Sequence, residues 1–173
     1  MDIQGTNISL RSIDMSYVSD NYVSWMNDKE VISGLQNPVI PYTKEMLSDY
    51  IQSVIKNSNN QMFAIIDNTS GKHIGNIKLI VNKENKNCEL GILIGDKNFW
   101  GKGVGQESCK LLVKYAFNDL NLSKVWLAVH ANNNAAIRLY EKIGFQTEGV
   151  FKKHIFYDGQ FIDKVFMAIF PKT

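Results

Sequence analysis

The chain has 173 residues, of which 45% are hydrophobic and 21% are charged, and its formal net charge at pH 7 is +2. This composition is typical of one globular domain, and a nearly neutral chain has no general electrostatic attraction for nucleic acid or for a membrane surface. Because the two cysteines are too few for a disulfide framework, no apolar stretch approaches the roughly 20 residues of a membrane helix, and no secretory signal is recognisable, we expect one cytoplasmic domain over residues 1–173.

The first half of the chain predicts a strand, two helices and a three-stranded meander. Apolar and polar residues alternate over residues 8–13, which indicates a strand. Asp14 and Ser16 can cap a helix that carries Tyr17 and Trp25, and Thr43 can cap a second helix. Residues 34–42, which contain prolines, are expected to form the loop between them. The two-residue period then predicts strands at 62–67, 74–81 and 88–94, joined by turns at 68–71 and 82–87.

The second half predicts alternating helices and strands. Glycine-rich residues lead into a helix at 104–119, and the almost wholly apolar segment 125–130 is typical of a strand buried on both faces. A helix at 134–143 ends at Gly144. Strands at 145–156 and 161–170 flank a turn at residues 158 and 159. We therefore expect an α/β fold, a mixed sheet with helices on its faces.

The segment WGKGVG, residues 100–105, is the strongest candidate for an anion-binding site. Gly101, Gly103 and Gly105 alternate at the start of a helix, where glycine lets the backbone approach a ligand and where free N–H groups attract anions. Lys102 adds a local positive charge. The glycine spacing differs from the dinucleotide-binding and P-loop patterns. Taken alone, the segment is equally consistent with a glycine-rich turn.

A second segment, NNNAAIRLYEKIGF at 132–145, makes the pattern specific. Together the two segments resemble the GNAT (Gcn5-related) N-acetyltransferases, whose motifs are Arg/Gln-x-x-Gly-x-Gly/Ala and Asn-x-x-Ala-x-x-Leu-Tyr-x-x-x-Gly-Phe. Trp100 stands in the place of the leading Arg or Gln, as in the branch with ribosomal-protein N-terminal and amino-sugar acetyltransferases. The resemblance implies a mostly antiparallel central sheet that splays at the acetyl-coenzyme A site.

The resemblance also implies roles for individual residues. Residues expected to bind the coenzyme are Leu93, Ile94, Lys102, Gly103, Val104, Gly105, Gln106 and Asn133. The hydroxyl of Tyr140 would lie near the thioester sulfur and protonate the leaving thiolate.

The general base is expected to be Glu89, which lies in the strand that leads into the site. A carboxylate there could equally bind substrate or lie at the surface, and His154 is the alternative base because histidine titrates near neutrality. His73 and His130 are interpreted as structural residues, and Cys109 as a packing residue. No cluster of metal ligands is present in the sequence pattern.

The acceptor side is predicted by resemblance alone. Trp25, Glu30 and His154 are the expected substrate-binding residues. We expect direct transfer of an acetyl group to a primary amine, with a small molecule such as an amino-sugar nucleotide or polyamine ranked above a protein N-terminus; the resemblance also allows a homodimer. A coenzyme A-binding regulatory module without activity is the alternative class of function, and a purely structural protein is a distant third.

Overall fold

Eight strands form a single sheet in this structure, a computed structural model that describes residues 2–35, 41–157 and 159–171. The strands are β1 (Asp2–Gln4), β2 (Ile8–Ser12), β3 (Asn60–Asp67), β4 (His73–Asn82), β5 (Asn87–Ile94), β6 (Lys124–His130), β7 (Gln146–Tyr157) and β8 (Gln160–Ile169). Their order across the sheet is β1-β2-β3-β4-β5-β6-β8-β7. The pairs are antiparallel except for β5 and β6, which run parallel. The predicted mixed α/β sheet is confirmed.

Four α-helices cover the two faces of the sheet: α1 (Asp20–Met26), α2 (Lys44–Lys56), α3 (Val104–Asn118) and α4 (Asn134–Ile143). Helices α3 and α4 pack with the core that contains Leu90, Leu112 and Leu127. Helices α1 and α2 pack with a second core that contains Trp25 and Leu47 on the opposite face. Burial of apolar side chains on both faces stabilises the sheet between its helices.

Most predicted boundaries agree with the structure, and the differences have local causes. The first helix is divided: Asp14 caps a short 3₁₀ turn at Met15–Tyr17, and Ser19 then caps α1 by accepting a hydrogen bond from the Tyr22 N–H. Two successive caps restart the helix where the apolar spacing alone suggests one. Strand β1, three residues long, was not predicted because so short a segment shows no period.

The apolar sequence of β6 predicts burial on both faces, but only one face of the strand is buried. Val125, Leu127 and Val129 lie in the core beneath α3, whereas Trp126 and Ala128 are half-buried on the other face. The prediction was wrong because an antiparallel neighbour, β8, leaves that face partly open. Of the predicted connections, residues 36–40 of the first loop and Asp158 of the last turn lie outside the described residues.

Both cysteines are buried and free. Burial raises the pKa of each thiol, of Cys88 and of Cys109, to about 12, so neither forms a reactive thiolate at neutral pH. Cys109, on the side of α3 that packs in the core, is fully buried, which confirms the prediction that it is a packing residue.

Candidate active site

The sheet opens between β5 and β6. The two parallel strands are paired at three positions, from Asn87 opposite Lys124 to Glu89 opposite Trp126, and the ladder stops there. Beyond these positions β5, from Leu90, and β6, from Leu127, form no ladder with each other. The sheet is therefore interrupted between the two strands toward their carboxyl ends, and we call this interruption the gap.

The carboxyl end of β5 is held by several backbone contacts. The carbonyl oxygen of Ile74 accepts hydrogen bonds from the N–H groups of Gly95 and Asp96, at 3.0 and 3.1 Å. The indole Nε1–H of Trp100 donates to the carbonyl oxygen of Ile94 at 2.9 Å. The indole of Trp25 lies so close to Gly95 that any side chain on Gly95 would overlap it. The backbone at Leu93 and Ile94 is thus positioned before any ligand binds.

The loop after β5 leads into the N-terminus of α3. Gly101 and Gly103 have left-handed backbone conformations with φ of 72° and 79°, which glycine adopts without steric cost. Gly103 is the N-cap residue of α3 and provides no side-chain cap, so the first-turn N–H groups remain available to an anion. A Cβ on Gly101 or on Gly103 would meet no protein atom within 4 Å. The space beside these groups is therefore open.

The neighbouring residues of this loop contribute in different ways. Val104 is 5% exposed and packs in the core, so only its backbone can contact a ligand. Gln106 is half-buried, and the exposed Lys102 places its Nζ atom 5.6 Å from the centre of the Phe99 ring. A Cβ on Gly105 would lie 3.3 Å from Cδ1 of Leu139, so this glycine allows α3 and α4 to pack closely.

Helix α4 borders the gap on the β6 side. The Asn133 side chain caps the helix by accepting a hydrogen bond from the Ala136 N–H at 3.1 Å. Tyr140 is half-buried and packs its ring edge-on against Phe145, with 5.8 Å between the ring centres. Burial raises the pKa of the Tyr140 hydroxyl, and the nearby Cys109 raises it further. The phenol is therefore protonated at neutral pH and can act as a proton donor.

The face of the sheet opposite α3 carries the predicted base and a group of aromatic side chains. The neighbours of Glu89 in the strand, Cys88 and Leu90, are buried beneath α3, so the half-buried Glu89 faces the other way. On that face Trp126 stacks on Phe166, with 6.2 Å between ring centres. A depression of about 290 Å³ is lined by Asn87, Lys124, Trp126, Glu148 and Phe166.

The exposed His154 extends this aromatic group along β7. Its ring centre lies 5.3 Å from that of Phe151 and 6.2 Å from that of Phe166. An amine with an apolar body could rest on these rings, since aromatic faces attract cations.

The turn that follows α1 joins the two sides of the gap. Lys97, just after β5, binds the carboxylates of Asp28 and Glu30, each at 2.7 Å. These two carboxylates raise the pKa of Lys97. At the other end of the turn, a Cβ on Gly34 would lie 3.8 Å from Nδ2 of Asn133. The turn thus reaches from the end of β5 to the start of α4.

Two residues expected to bind substrate already have partners within the protein. The Glu30 carboxylate lies against Lys97, and Trp25 is 5% exposed between Gly95 and the His73 ring, 5.0 Å away. Lys97 and Trp126 were not among the site residues predicted from the sequence. Of the two, only Trp126 could have been predicted to face away from the core, since it alternates with the buried residues of its strand.

In residues 2–35, 41–157 and 159–171, no group of three or more His, Cys, Asp and Glu side chains could hold a metal ion. Within the same ranges no helix has the length and apolar character to span a membrane.

The sequence matches known proteins over most of its length. Residues 8–146 match the family model described as an acetyltransferase (GNAT) domain. The chain is 32% identical over 125 residues to a spermidine N(1)-acetyltransferase of Escherichia coli strain K12, a match that covers 72% of this chain and 66% of that protein. The matched segment is thus slightly under two thirds of the length of that relative.

Solved structures resemble the whole fold. The spermidine N-acetyltransferase of Vibrio cholerae, in complex with CoA and spermine, superposes with a TM-score of 0.87 at 26% identity and covers 96% of both chains. A ribosomal L7/L12 alpha-N-protein acetyltransferase in complex with coenzyme A superposes with a TM-score of 0.88 and covers 98% of both chains. The latter is 19% identical and shows the fold alone.

Proposed function

The chain belongs to the GNAT acetyltransferase family, and we propose that it transfers an acetyl group from acetyl-coenzyme A directly to a primary amine of a small molecule. The observation that carries this proposal is the gap between β5 and β6, with the glycine loop on one side and Tyr140 on the other. Acetyl-coenzyme A is the donor substrate in this proposal, with its pyrophosphate at the N-terminus of α3.

The donor-side residues have separate tasks in this proposal. Gly103, Val104, Gly105 and Gln106 contribute backbone N–H groups, and Lys102 adds a charge beside the phosphates. Asn133 and the backbone of Leu93 and Ile94 lie along the pantetheine arm. A backbone N–H at the end of β5 stabilises the oxyanion that forms when the amine attacks the thioester carbon.

Proton transfers complete the reaction. The acceptor must lose a proton before it attacks. Glu89, on the face of the sheet opposite α3, is our first candidate to take this proton, directly or through water, and we call this face the acceptor face. The C–N bond forms and the C–S bond breaks. The thiolate takes a proton from the Tyr140 hydroxyl, and the nitrogen gives its second proton to water, from which Tyr140 is reprotonated. The raised pKa of Tyr140 keeps its hydroxyl protonated at neutral pH.

A polyamine is the acceptor that we favour, with an amino-sugar nucleotide as the second small-molecule option. The E. coli relative and the V. cholerae structure are both spermidine acetyltransferases. The half-buried Glu89 and the stacked Trp126 and Phe166 would suit an apolar chain that carries positive charges. A protein N-terminus is a less favoured acceptor, for which the ribosomal-protein relative supports only a common fold.

Thiol release from acetyl-coenzyme A with a panel of amines tests the proposal. Spermidine, a 4-amino-sugar nucleotide and a peptide with a free N-terminus are compared, and we expect release above background with spermidine. Tyr140→Phe is the matched variant and should lower kcat on the order of 100-fold while coenzyme binding is kept, since it lacks only the acidic hydroxyl.

Three outcomes would contradict parts of the proposal. Coenzyme binding with no release for any amine would indicate a regulatory module. Radiolabelled acetyl that stays on the denatured protein without an acceptor would exclude direct transfer. An unchanged kcat in Tyr140→Phe would remove its role as general acid.

A further inference from the structure

His130, the last residue of β6, is a buried histidine that the mechanism above does not use. Its side chain is buried, with 4% of the residue exposed. Its Nε2 atom has no hydrogen-bond partner among the described residues. A buried polar atom without a partner is energetically costly. An Nε2 atom in this position is available to a partner that the described residues do not provide.

The strand direction shows which face of the sheet His130 occupies. Val129 and Ala131, on either side of it, both pack in the core beneath α3 and α4. Because successive side chains of a strand point to opposite faces, His130 lies on the acceptor face, which also carries Trp126 and Phe166. The turn that contains Gly34 reaches this end of β6, since a Cβ on Gly34 would lie 3.8 Å from Nδ2 of Asn133.

The parallel register places His130 beside the expected reaction centre. Cys88 stands opposite Val125, and Glu89 stands opposite Trp126. When this register is extended across the gap, Leu93 stands opposite His130, and Gly91 stands opposite Ala128 midway between this pair and the Glu89–Trp126 pair. The residues of all three pairs lie on the acceptor face, and the side chains of the middle pair are small.

The same register separates Glu89 from this position. Glu89 lies four residues before Leu93, which corresponds to about 13 Å along a strand at roughly 3.3 Å per residue. A carboxylate at that distance can contact the body of an acceptor whose reacting nitrogen is level with Leu93. Direct removal of a proton from that nitrogen requires a separation of about 3 Å.

We propose that His130 is the residue that takes the proton from the acceptor ammonium, through its Nε2 atom. This inference rests on the proposed acetyl transfer. The ammonium loses one proton to the neutral imidazole, and the free amine attacks the thioester carbon. As the C–N bond forms and the C–S bond breaks, the thiolate takes a proton from Tyr140. The nitrogen gives its second proton to water, from which the Tyr140 phenolate is reprotonated. The imidazolium then releases its proton to solvent, which balances the reaction.

The surroundings of His130 favour the neutral imidazole. Burial lowers the pKa of His130 from its ordinary value, and the positive charge of Lys164, its register partner on β8, lowers it further. On β5 the charged group of this face is Glu89, and on the turn after α1 the carboxylates of Asp28 and Glu30 are bound to Lys97. Because the pKa is lowered, the imidazole stays neutral at pH 7. It becomes protonated, and unable to accept a proton, as the pH falls through this lowered pKa.

The pH dependence of kcat/KM for the amine tests this role. The wild-type enzyme should show an acid limb, in which activity falls as the pH drops through the pKa of His130. His130→Gln keeps a polar side chain that does not titrate, so we expect this limb to disappear and kcat/KM at pH 7 to fall on the order of 100-fold. Coenzyme binding, measured without an acceptor, should change less than threefold.

Two comparison variants separate His130 from the other candidates. His73→Gln replaces the half-buried histidine that packs against Trp25, and should keep the acid limb even if the protein is less stable. Glu89→Gln should raise the KM of the amine and also keep the limb. If Glu89→Gln loses the limb and His130→Gln retains it, the carboxylate is the base and our inference is wrong.

A titration of the wild-type protein covers the case in which His130→Gln does not fold. The chain has three histidines, so their imidazole signals can be followed separately by NMR. The pKa of His130 should equal the kinetic pKa of the acid limb, and a mismatch would overturn the inference. If the wild type releases no thiol with any amine, the proposed function itself fails. Transfer with an unaltered limb in His130→Gln would overturn the role of His130 alone.

Discussion

The indole N–H of Trp100 holds the carbonyl of Ile94 at 2.9 Å, at the point where β5 ends beside the gap. Lys97 lies 5.9 Å from the centre of the same indole and binds Asp28 and Glu30. Trp100 therefore connects the glycine loop to the strand that contacts the thioester in our proposal. The residue that departs from the common form of the motif thus acts on the backbone of β5.

Trp100→Phe tests this connection, because it removes the N–H donor and keeps an aromatic ring. A hydrogen bond contributes about 0.5–1.5 kcal/mol, so we expect kcat to fall roughly two- to tenfold, with coenzyme affinity changed less. Steady-state kinetics and a binding titration give both values. Trp126→Phe is the comparison variant and should alter the KM of the amine instead. An unchanged kcat in Trp100→Phe would show that the hydrogen bond does not position the site.

At the scale of the element, the N-terminus of α3 combines a backbone conformation with an open space. Gly103 has a φ of 79° and caps the helix without a side chain. A residue with a Cβ pays roughly 1–2 kcal/mol in this conformation. The open space beside Gly103 does not change the stability of the free protein, and a side chain in it would affect only the binding of a ligand there.

Gly103→Ala should therefore have two effects, one on folding and one on binding. We expect the melting temperature to fall by about 2–6 °C and coenzyme affinity to fall at least tenfold, because the methyl group would enter the pyrophosphate site. Gly71→Ala is a matched control: Gly71 has a φ of 68° and equally open surroundings, but lies in the β3–β4 turn. It should lose similar stability and keep its affinity. Equal affinities in the two variants would place the coenzyme elsewhere.

At the scale of the whole molecule, the interrupted sheet is the main structural consequence of the sequence. Strands β1 to β5 pair in order on one side of the gap, and β6, β8 and β7 form the other side. The halves are joined by the three-residue ladder at Asn87–Glu89 and by helix packing between α3 and α4. A ligand in the gap would add contacts to both halves at once.

Coenzyme A should therefore stabilise the whole fold. A ligand that binds only the folded state adds about 2.7 kcal/mol at 100 times its Kd, which corresponds to an increase of about 5–10 °C in the melting temperature. A thermal melt with and without coenzyme A measures this shift. 3′-Phosphoadenosine 5′-phosphate, which lacks the pantetheine arm, should give a smaller shift. No shift with coenzyme A would contradict a site between the halves.

The candidate site was predictable from sequence where its residues act through local structure. Gly103, Asn133 and Tyr140 lie in two linear segments, and a glycine N-cap or a helix-capping asparagine is determined by neighbours close in the chain. The same local rules explain most helices and strands. They did not reveal β1, which is paired to β2 but has no periodic pattern of its own.

The amino-acid sequence by itself determined the family, through the resemblance of its two motifs. It also determined most of the order of the elements, because capping, glycine conformation and side-chain alternation are local properties. Only the tertiary structure decided which side chains meet across the sheet. Glu89 stands opposite Trp126 because β5 and β6 run parallel in one particular register after a helix has connected them. Such a register depends on how the helices pack, so no spacing along the chain discloses it.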